Sequence, residues 1–176
     1  NATALGYQAK TTASNQVRIG NSSITSIGGY KAWTNLSDGR VKKNIKANVP
    51  GLVFINMLKP VTYNLDLDAA DKIMGVSGLK DKTGKNRQVS VEETNARKAQ
   101  QEVLCTGFIA QEVEASAKKL GYDFEGVDVP KNDKDLYGLR YSEFVVPLVK
   151  AVQELSKQND ALKDQNTELE DRLQKI

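Results

Sequence analysis

Residues 145–176 read VVPLVKAVQELSKQNDALKDQNTELEDRLQKI and carry the strongest pattern in the sequence. Apolar residues recur here by alternating steps of three and four, which is the heptad repeat of a coiled coil. The d positions are Leu148, Leu155, Leu162, Leu169 and Ile176, and the a positions are Val145, Val152, Asn159, Asn166 and Leu173. An amphipathic helix packed on its own domain would present a wider apolar stripe. The pattern therefore predicts a coiled coil over residues 144–176, and with it partner chains.

The number of chains in the coil is not fixed by the heptads. Asparagine at a positions, here Asn159 and Asn166, sets register and orientation at a cost in stability. Leucine at d with valine at a favours a dimer. A β-solenoid shaft upstream of the coil would favour a trimer, so the two signals conflict.

Residues 1–36 are rich in Gly, Ala, Ser, Thr and Asn, with a few aliphatic anchors. Leu5-Gly6 and Ile19-Gly20 echo each other at a distance of 14 residues. A small-residue repeat with one aliphatic anchor per turn is typical of a narrow β-solenoid or β-roll, whose coils stack on one another. A Gly/Ser-rich linker is the alternative. The regular placement of the aliphatic residues favours the end of a β-solenoid-like shaft.

Residues 37–143 have the apolar periodicity that is typical of a small mixed α+β domain. Within it, the polar stretch 75–101 is interpreted as an inserted loop that holds a short helix. Apolar periodicity predicts the other elements. The predicted helices are Leu52–Leu58, Val91–Gln101 and Ala110–Leu120, and the predicted strands are Val61–Leu65, Val103–Ile109 and Leu136–Tyr141.

Composition excludes several kinds of chemistry and partner. The chain has no histidine, so histidine-based triads and zinc sites are out. Its one cysteine, Cys105, allows no disulfide within the chain and is expected as a small buried strand residue. Asp66, Asp68 and Asp71 lack the spacing of a calcium loop, so no cofactor is implied. The net charge of +3 is spread without a basic stripe, and no apolar run would span a membrane; neither nucleic acid nor a membrane is an expected partner.

Four motifs occur in order along the chain. They are Ser37-Asp-Gly-Arg-Val-Lys-Lys-Asn-Ile45, then Leu58-Lys-Pro-Val-Thr-Tyr63, then Gly107-Phe-Ile-Ala-Gln-Glu-Val113, and finally Tyr141 with Pro147-Leu148 and Ala151-Val-Gln-Glu-Leu155. Together they resemble the C-terminal intramolecular chaperone domain of phage endosialidases, tailspikes and long tail fibres, which processes itself. The resemblance covers residue 37 to about residue 155, with 75–101 outside the pattern.

The resemblance implies an intertwined homotrimer. In each chain, a small α+β domain would follow the end of the shaft, and the long coiled-coil helix would follow that domain. The resemblance also implies a domain that trimerises and folds the fibre shaft of the same polypeptide and then cuts itself off. The nucleophile would be Ser37, paired with Lys42, and the cut bond would be Leu36–Ser37. The protein would be a virion fibre or spike precursor assembled in the bacterial host cytoplasm, and this chain the C-terminal piece of something longer.

The residues themselves allow this chemistry with one difficulty. Without histidine, a neutral lysine is the best base for a serine, and nearby cations such as Arg40 lower the pKa of a lysine. Backbone N–H groups near Asp38 to Arg40 are candidates for stabilising an oxyanion. In a regular helix, however, residues five apart lie about 140° apart, so the hydroxyl and amine would not meet. Either the chain is non-helical there, or the lysine comes from a neighbouring subunit.

Other interpretations of these residues remain open. Ser-Asp-Gly is also an ordinary turn or helix-cap sequence, and a lysine in a charged run usually lies on a solvated face. The alternative function is a trimerisation module of a fibre or adhesin that does not cut itself.

Overall fold

The computed structural model describes residues 1–76 and 90–175. Within those residues the protein is a small mixed α+β structure with a long C-terminal helix, as predicted. The chain separates into two compact units. The first comprises 1–43, 60–107 and 129–138, and the second comprises 44–59, 108–128 and 139–176. The central part of the predicted insertion, residues 77–89, lies outside the described residues.

Two short parallel strands open the first unit. β1 (Thr3–Leu5) pairs with β2 (Val17–Ile19), and Leu5 lies opposite Ile19. Gly6 and Gly20 follow the two strands with φ of +110° and +74°, a backbone conformation that favours glycine. The Leu-Gly and Ile-Gly pairs are therefore aligned with each other in the register of two parallel strands. A full solenoid or roll stays a prediction, because the described residues hold one such pair.

A second sheet and two helices complete the first unit. β3 (Val61–Tyr63) pairs antiparallel with β4 (Cys105–Gly107), and both strands are shorter than predicted. β3 ends early because the next residues lead into a helix, α2 (Leu67–Met74), that was not predicted. Asp66 caps α2 by accepting from two backbone N–H groups, and Gly75 ends it in the left-handed conformation. The predicted helix α3 (Val91–Gln101) is present.

The remaining elements are three helices and two strands. The helices are α1 (Leu52–Ile55), α4 (Ala110–Lys119) and α5 (Val145–Leu173), and the strands β5 (Val127–Asp128) and β6 (Gly138–Leu139) pair with each other. The chain also makes 3₁₀ turns at Gly39–Val41 and Tyr141–Phe144. The strand predicted over Leu136–Tyr141 is therefore wrong at its end, because Tyr141 already begins a 3₁₀ turn.

An aromatic core holds the second unit together. Phe54 is fully buried, and its ring meets the rings of Phe124 and Tyr122 edge-on at centroid distances of 5.0 and 5.4 Å. Phe124 packs in the same way on Phe144 at 4.9 Å. Val113 and other residues of α4 close this core. Edge-on aromatic pairs add to the hydrophobic free energy of burial, so Phe54 is the centre of the unit.

The first three turns of α5 belong to this packing. Pro147 and Ala151 are buried, and a carboxylate oxygen of Glu154 accepts the backbone N–H of Leu52 at 2.8 Å. A Cβ atom placed on Gly51 would lie 2.8 Å from the backbone nitrogen of Ala151. Only a glycine lets the start of α1 approach α5 this closely.

The rest of α5 has no such packing. Every residue from 155 to 175 is exposed, including Leu162 and Leu169 of the heptad stripe. The predicted d residue Ile176 lies outside the described residues. Coiled-coil assembly and the trimer stay predictions. Within residues 1–76 and 90–175, no helix has both the length and the apolar character needed to cross a bilayer.

Candidate functional site

The predicted cut bond lies in an exposed stretch of chain. Residues 24–48 are all exposed, and those from 24 to 38 form neither helix nor strand. The side chain of Leu36 is 96% exposed, and Trp33, three residues before it, is 87% exposed. The peptide bond between Leu36 and Ser37 is therefore accessible in the single chain.

A tight turn follows this stretch. Asp38 has an extended backbone and caps the 3₁₀ turn Gly39–Val41, accepting the N–H of Arg40 at 2.9 Å. The guanidinium of Arg40 also binds the Asp38 carboxylate, with its Nε 2.9 Å from Oδ2. Lys42 returns to an extended backbone. The two residues predicted to support catalysis thus bind each other and fix the turn.

The turn brings the predicted pair together. The Nζ atom of Lys42 lies 2.9 Å from the Oγ atom of Ser37, which is hydrogen-bond distance. Both residues belong to one chain, and the chain between them is not an α-helix. The angular separation of a regular helix does not apply to a 3₁₀ turn flanked by two extended residues. A contact within a single chain is therefore geometrically possible.

Electrostatic interactions inside the turn favour the ionised form of the Asp38 carboxyl group. Hydrogen bonding from the Arg40 side chain, and then from the Arg40 N–H, lowers the pKa of Asp38 below its ordinary value. The same pairing raises the pKa of Arg40. Asp38 is therefore a carboxylate at neutral pH, and its role is that of a hydrogen-bond acceptor.

The backbone N–H groups of the turn are partly used. Arg40 donates its N–H to the Asp38 side chain, Val41 donates to the Asp38 carbonyl at 3.1 Å, and Lys42 donates to the Gly39 carbonyl at 3.3 Å. Of the donors proposed for an oxyanion, the N–H of Arg40 is therefore occupied in this arrangement.

The other side chains considered from sequence lie apart from this turn in the chain and have local roles. Cys105 is half-buried in β4. Glu112 is exposed on α4, 3.8 Å from Lys59. In the described part of the chain, no three carboxylate or thiol groups converge to hold a metal ion.

One polar cluster was missed by sequence reasoning. The buried side chains of Asp135 and Gln16 are hydrogen-bonded to each other at 3.1 Å, although they are 119 residues apart in the chain. No local pattern signals a contact over such a separation.

Comparison with known families recognises part of the stretch that carries the four motifs. Residues 37–122 match the family model described as chaperone of endosialidase, whose name also classes it as a peptidase. Residues 37–122 are therefore similar in sequence to the domains of this family. The match begins at Ser37, the residue predicted to be the nucleophile. No curated protein and no solved structure matches the chain. The predicted intramolecular chaperone domain is therefore confirmed at the level of the family.

Proposed function

We propose that this chaperone domain trimerises and folds the fibre or tailspike segment that precedes it, and then releases itself by cutting the bond between Leu36 and Ser37. The family supports the chaperone role, and its name suggests a self-cleaving peptidase. The observation that carries the proposal is the 2.9 Å contact between Lys42 Nζ and Ser37 Oγ, in the turn at the start of the family match. The precursor would be a virion fibre or spike protein assembled in the host cytoplasm.

The reaction uses the two side chains in sequence. The neutral amine of Lys42 takes the hydroxyl proton of Ser37, and Oγ attacks the carbonyl carbon of Leu36. The peptide C–N bond breaks as the C–O bond of an ester forms, and the lysine returns its proton to the departing amine of Ser37. Water then hydrolyses the ester, which restores the Ser37 hydroxyl and leaves a carboxylate on Leu36. One water is consumed, and the domain acts once.

Exposure of the turn supports control by assembly. A lysine amine serves as a base when burial or neighbouring cations disfavour its charged form. In the single chain both Ser37 and Lys42 are exposed, as are the apolar side chains of Leu36, Val41 and Ile45. Covering these apolar side chains in a trimer would also remove water from the pair. The cut would therefore wait until three chains have assembled.

The exposed stripe of α5 supplies the means of assembly. From Leu155 onward the heptad leucines face solvent on the single chain. An isolated helix of this length gains little stability from its own hydrogen bonds, so burial against other copies would stabilise it. We take the partners to be two further copies of this chain, as the family resemblance favours.

The first test measures the intact mass of the chain and of its variants after folding. The parent should split into two pieces, the second beginning at Ser37. Ser37→Ala and Lys42→Ala should stay whole and still assemble, whereas the matched control Lys43→Ala should split like the parent. A parent chain that assembles and stays whole would refute the cut.

A mixing experiment decides which subunit supplies the lysine. Ser37→Ala chains and Lys42→Ala chains are refolded together and their masses are measured. With the pair formed inside one chain, as the 2.9 Å contact favours, the mixture stays uncut. If the lysine acts on a neighbour, some Lys42→Ala chains are cut in the mixture.

The second candidate function is a trimerisation module that does not cut. Ser37 and Lys42 are both exposed in the single chain, which favours this function, because a lysine amine acts as a base where burial or neighbouring cations disfavour its charged form. A whole parent chain in a stable trimer would make this the better account.

A further inference from the structure

The segment before the cut bond is held to the rest of the first unit by polar contacts. Residues 10–24 make these polar contacts, and the residues that they contact all lie downstream of residue 37. Asp135 and the loop around it form one site, the end of α2 a second, and Arg97 with Gln100 of α3 a third. The backbone between 24 and 37 makes no helix or strand. Cutting it would leave these contacts intact.

Asp135 is the most enclosed of these groups. Its side chain is only 6% exposed and accepts the Thr12 hydroxyl at 2.7 Å and the Gln16 amide at 3.1 Å. Arg18 lies 3.6 Å away, on the strand β2. Two of the three upstream partners, Thr12 and Gln16, lie in the coil that joins β1 to β2, and the third, Arg18, lies on β2 itself. Asp135 thus binds side chains of the segment predicted to end the shaft.

The loop of Asp135 is shaped for this contact. The N–H of Lys131 donates to Asp135 Oδ2 at 3.1 Å, and the Asn132 amide donates to the Thr12 carbonyl at 2.8 Å. Burial raises the pKa of Asp135, but the hydrogen bonds from Thr12 and the loop backbone and the charge of Arg18 outweigh it, so that its pKa lies below the ordinary value. The carboxylate is therefore ionised and fully engaged.

The upstream side of the contact is equally ordered. The side-chain oxygen of Gln16 accepts the N–H groups of Thr12 and Ala13 at 3.0 and 3.1 Å. These bonds turn the Gln16 amide nitrogen towards Asp135. Gln16 is therefore a key residue of the coil, since it closes the coil with one atom and binds Asp135 with the other.

Two further contacts hold the upstream segment to α2 and α3. The amine of Lys10 donates to the carbonyls of Met74 and Gly75 at the C-terminus of α2, at 3.3 and 3.2 Å. A positive charge at this end of a helix is favourable. Arg97 binds Ser22 at 3.0 Å and Asp71 at 2.7 Å.

We propose that Asp135 and its loop form a docking site for the last shaft repeat, which stays bound to the chaperone domain after the chain between them is cut. The site recognises a threonine hydroxyl and a glutamine amide presented by one coil of the shaft. Release of the chaperone is then a separate step from cutting, and the strength of this contact sets its rate. The biological timing rests on the proposed cut at Ser37, but the docking itself does not.

The test makes the cut independently of Ser37. A recognition sequence for a specific protease is inserted after Gly29, in the exposed stretch, in the full chain carrying Ser37→Ala. The folded protein is cut with that protease and passed through a gel-filtration column, and the upstream fragment is quantified in the protein peak. In the parent the fragment should stay with the chaperone domain. Its immediate loss would overturn the proposal, whether or not the native chain cuts itself.

Two variants then locate the contact. Asp135→Asn and Gln16→Glu should each speed the loss of the fragment roughly tenfold or more, because the first removes the buried charge that accepts these hydrogen bonds and the second replaces the amide donor with a carboxylate that repels Asp135. Gln16→Glu keeps the acceptor oxygen that closes the coil and leaves the downstream chain unaltered, so its effect cannot come from misfolding of the Asp135 loop. Asp133→Asn, an exposed carboxylate on the same loop, is the matched control and should behave like the parent. Equal retention in all four proteins would refute the site.

Discussion

The two halves of α5 share one heptad pattern but have different surroundings. In the first half, Pro147 and Ala151 are buried and Glu154 accepts the N–H of Leu52, so the helix is part of the aromatic unit. In the second half, every residue from 155 onward is exposed, although leucines continue at the same spacing. A heptad pattern therefore indicates an apolar stripe without saying what covers it. In the first half its own chain covers only Pro147 and Ala151, which lie off the stripe, whereas the stripe residues Val145, Leu148 and Val152 are 56%, 45% and 64% exposed. We propose that other copies cover the stripe along the whole helix.

Phe54→Ala should give the largest loss of stability, because it removes the fully buried ring at the centre of the second unit. Truncation of a buried phenylalanine costs about 3–5 kcal/mol. The midpoint of urea unfolding should fall at every protein concentration, since the contact lies within one chain. A midpoint that falls only at low concentration would show that this core depends on assembly.

Leu162→Ala sharpens the comparison from the other half of the helix. Leu162 is 59% exposed on the single chain, so its truncation should leave the fold of the single chain unchanged. If the residue is buried between chains, each chain loses about 2–5 kcal/mol of assembly free energy. Sedimentation should show dissociation at concentrations where the parent stays assembled. The neighbour Lys163→Ala is the control, and equal behaviour of the two would contradict burial of the stripe.

Gly51→Ala tests the close approach in the first half and should have the smallest effect of the three. The added methyl group would lie 2.8 Å from the Ala151 nitrogen and 2.6 Å from a Glu154 oxygen. Overpacking of this kind costs about 1–3 kcal/mol. Thermal unfolding measures it, with Gly39→Ala as the control, because nothing lies near the corresponding atom there. No difference between the two variants would mean that α5 moves aside freely.

Local signals predicted much of the fold, and they failed where contacts over long sequence separations decide it. The helices α3, α4 and α5 follow from capping and periodicity. The signals for α2 were also present, in the cap Asp66 and in Gly75, but the aspartates were considered only as metal ligands. The predicted strands are too long because alternation continues into residues that begin a helix or a turn. Leu5 and Ile19, which are 14 residues apart in the sequence, lie opposite each other in a pair of parallel strands.

The candidate site was predictable in part for a similar reason. Ser37 and Lys42 were chosen by resemblance, and helical geometry argued against their contact. The turn that permits the contact depends on Asp38 binding Arg40, a local interaction that could have been read from the sequence. The binding of Asp135 to Thr12 and Gln16 could not, because it joins residues more than 100 positions apart.

The position of Trp33 has a spectroscopic consequence. It is the single tryptophan of the chain, it is 87% exposed, and it lies four residues before Ser37. A cut at Leu36–Ser37 would give all indole fluorescence to the upstream product and none to the chaperone product. Light selective for indole would therefore detect one product only, and the anisotropy of that signal would fall when the upstream piece departs. Departure could then be followed in one cuvette without a label, while intact mass follows the cut.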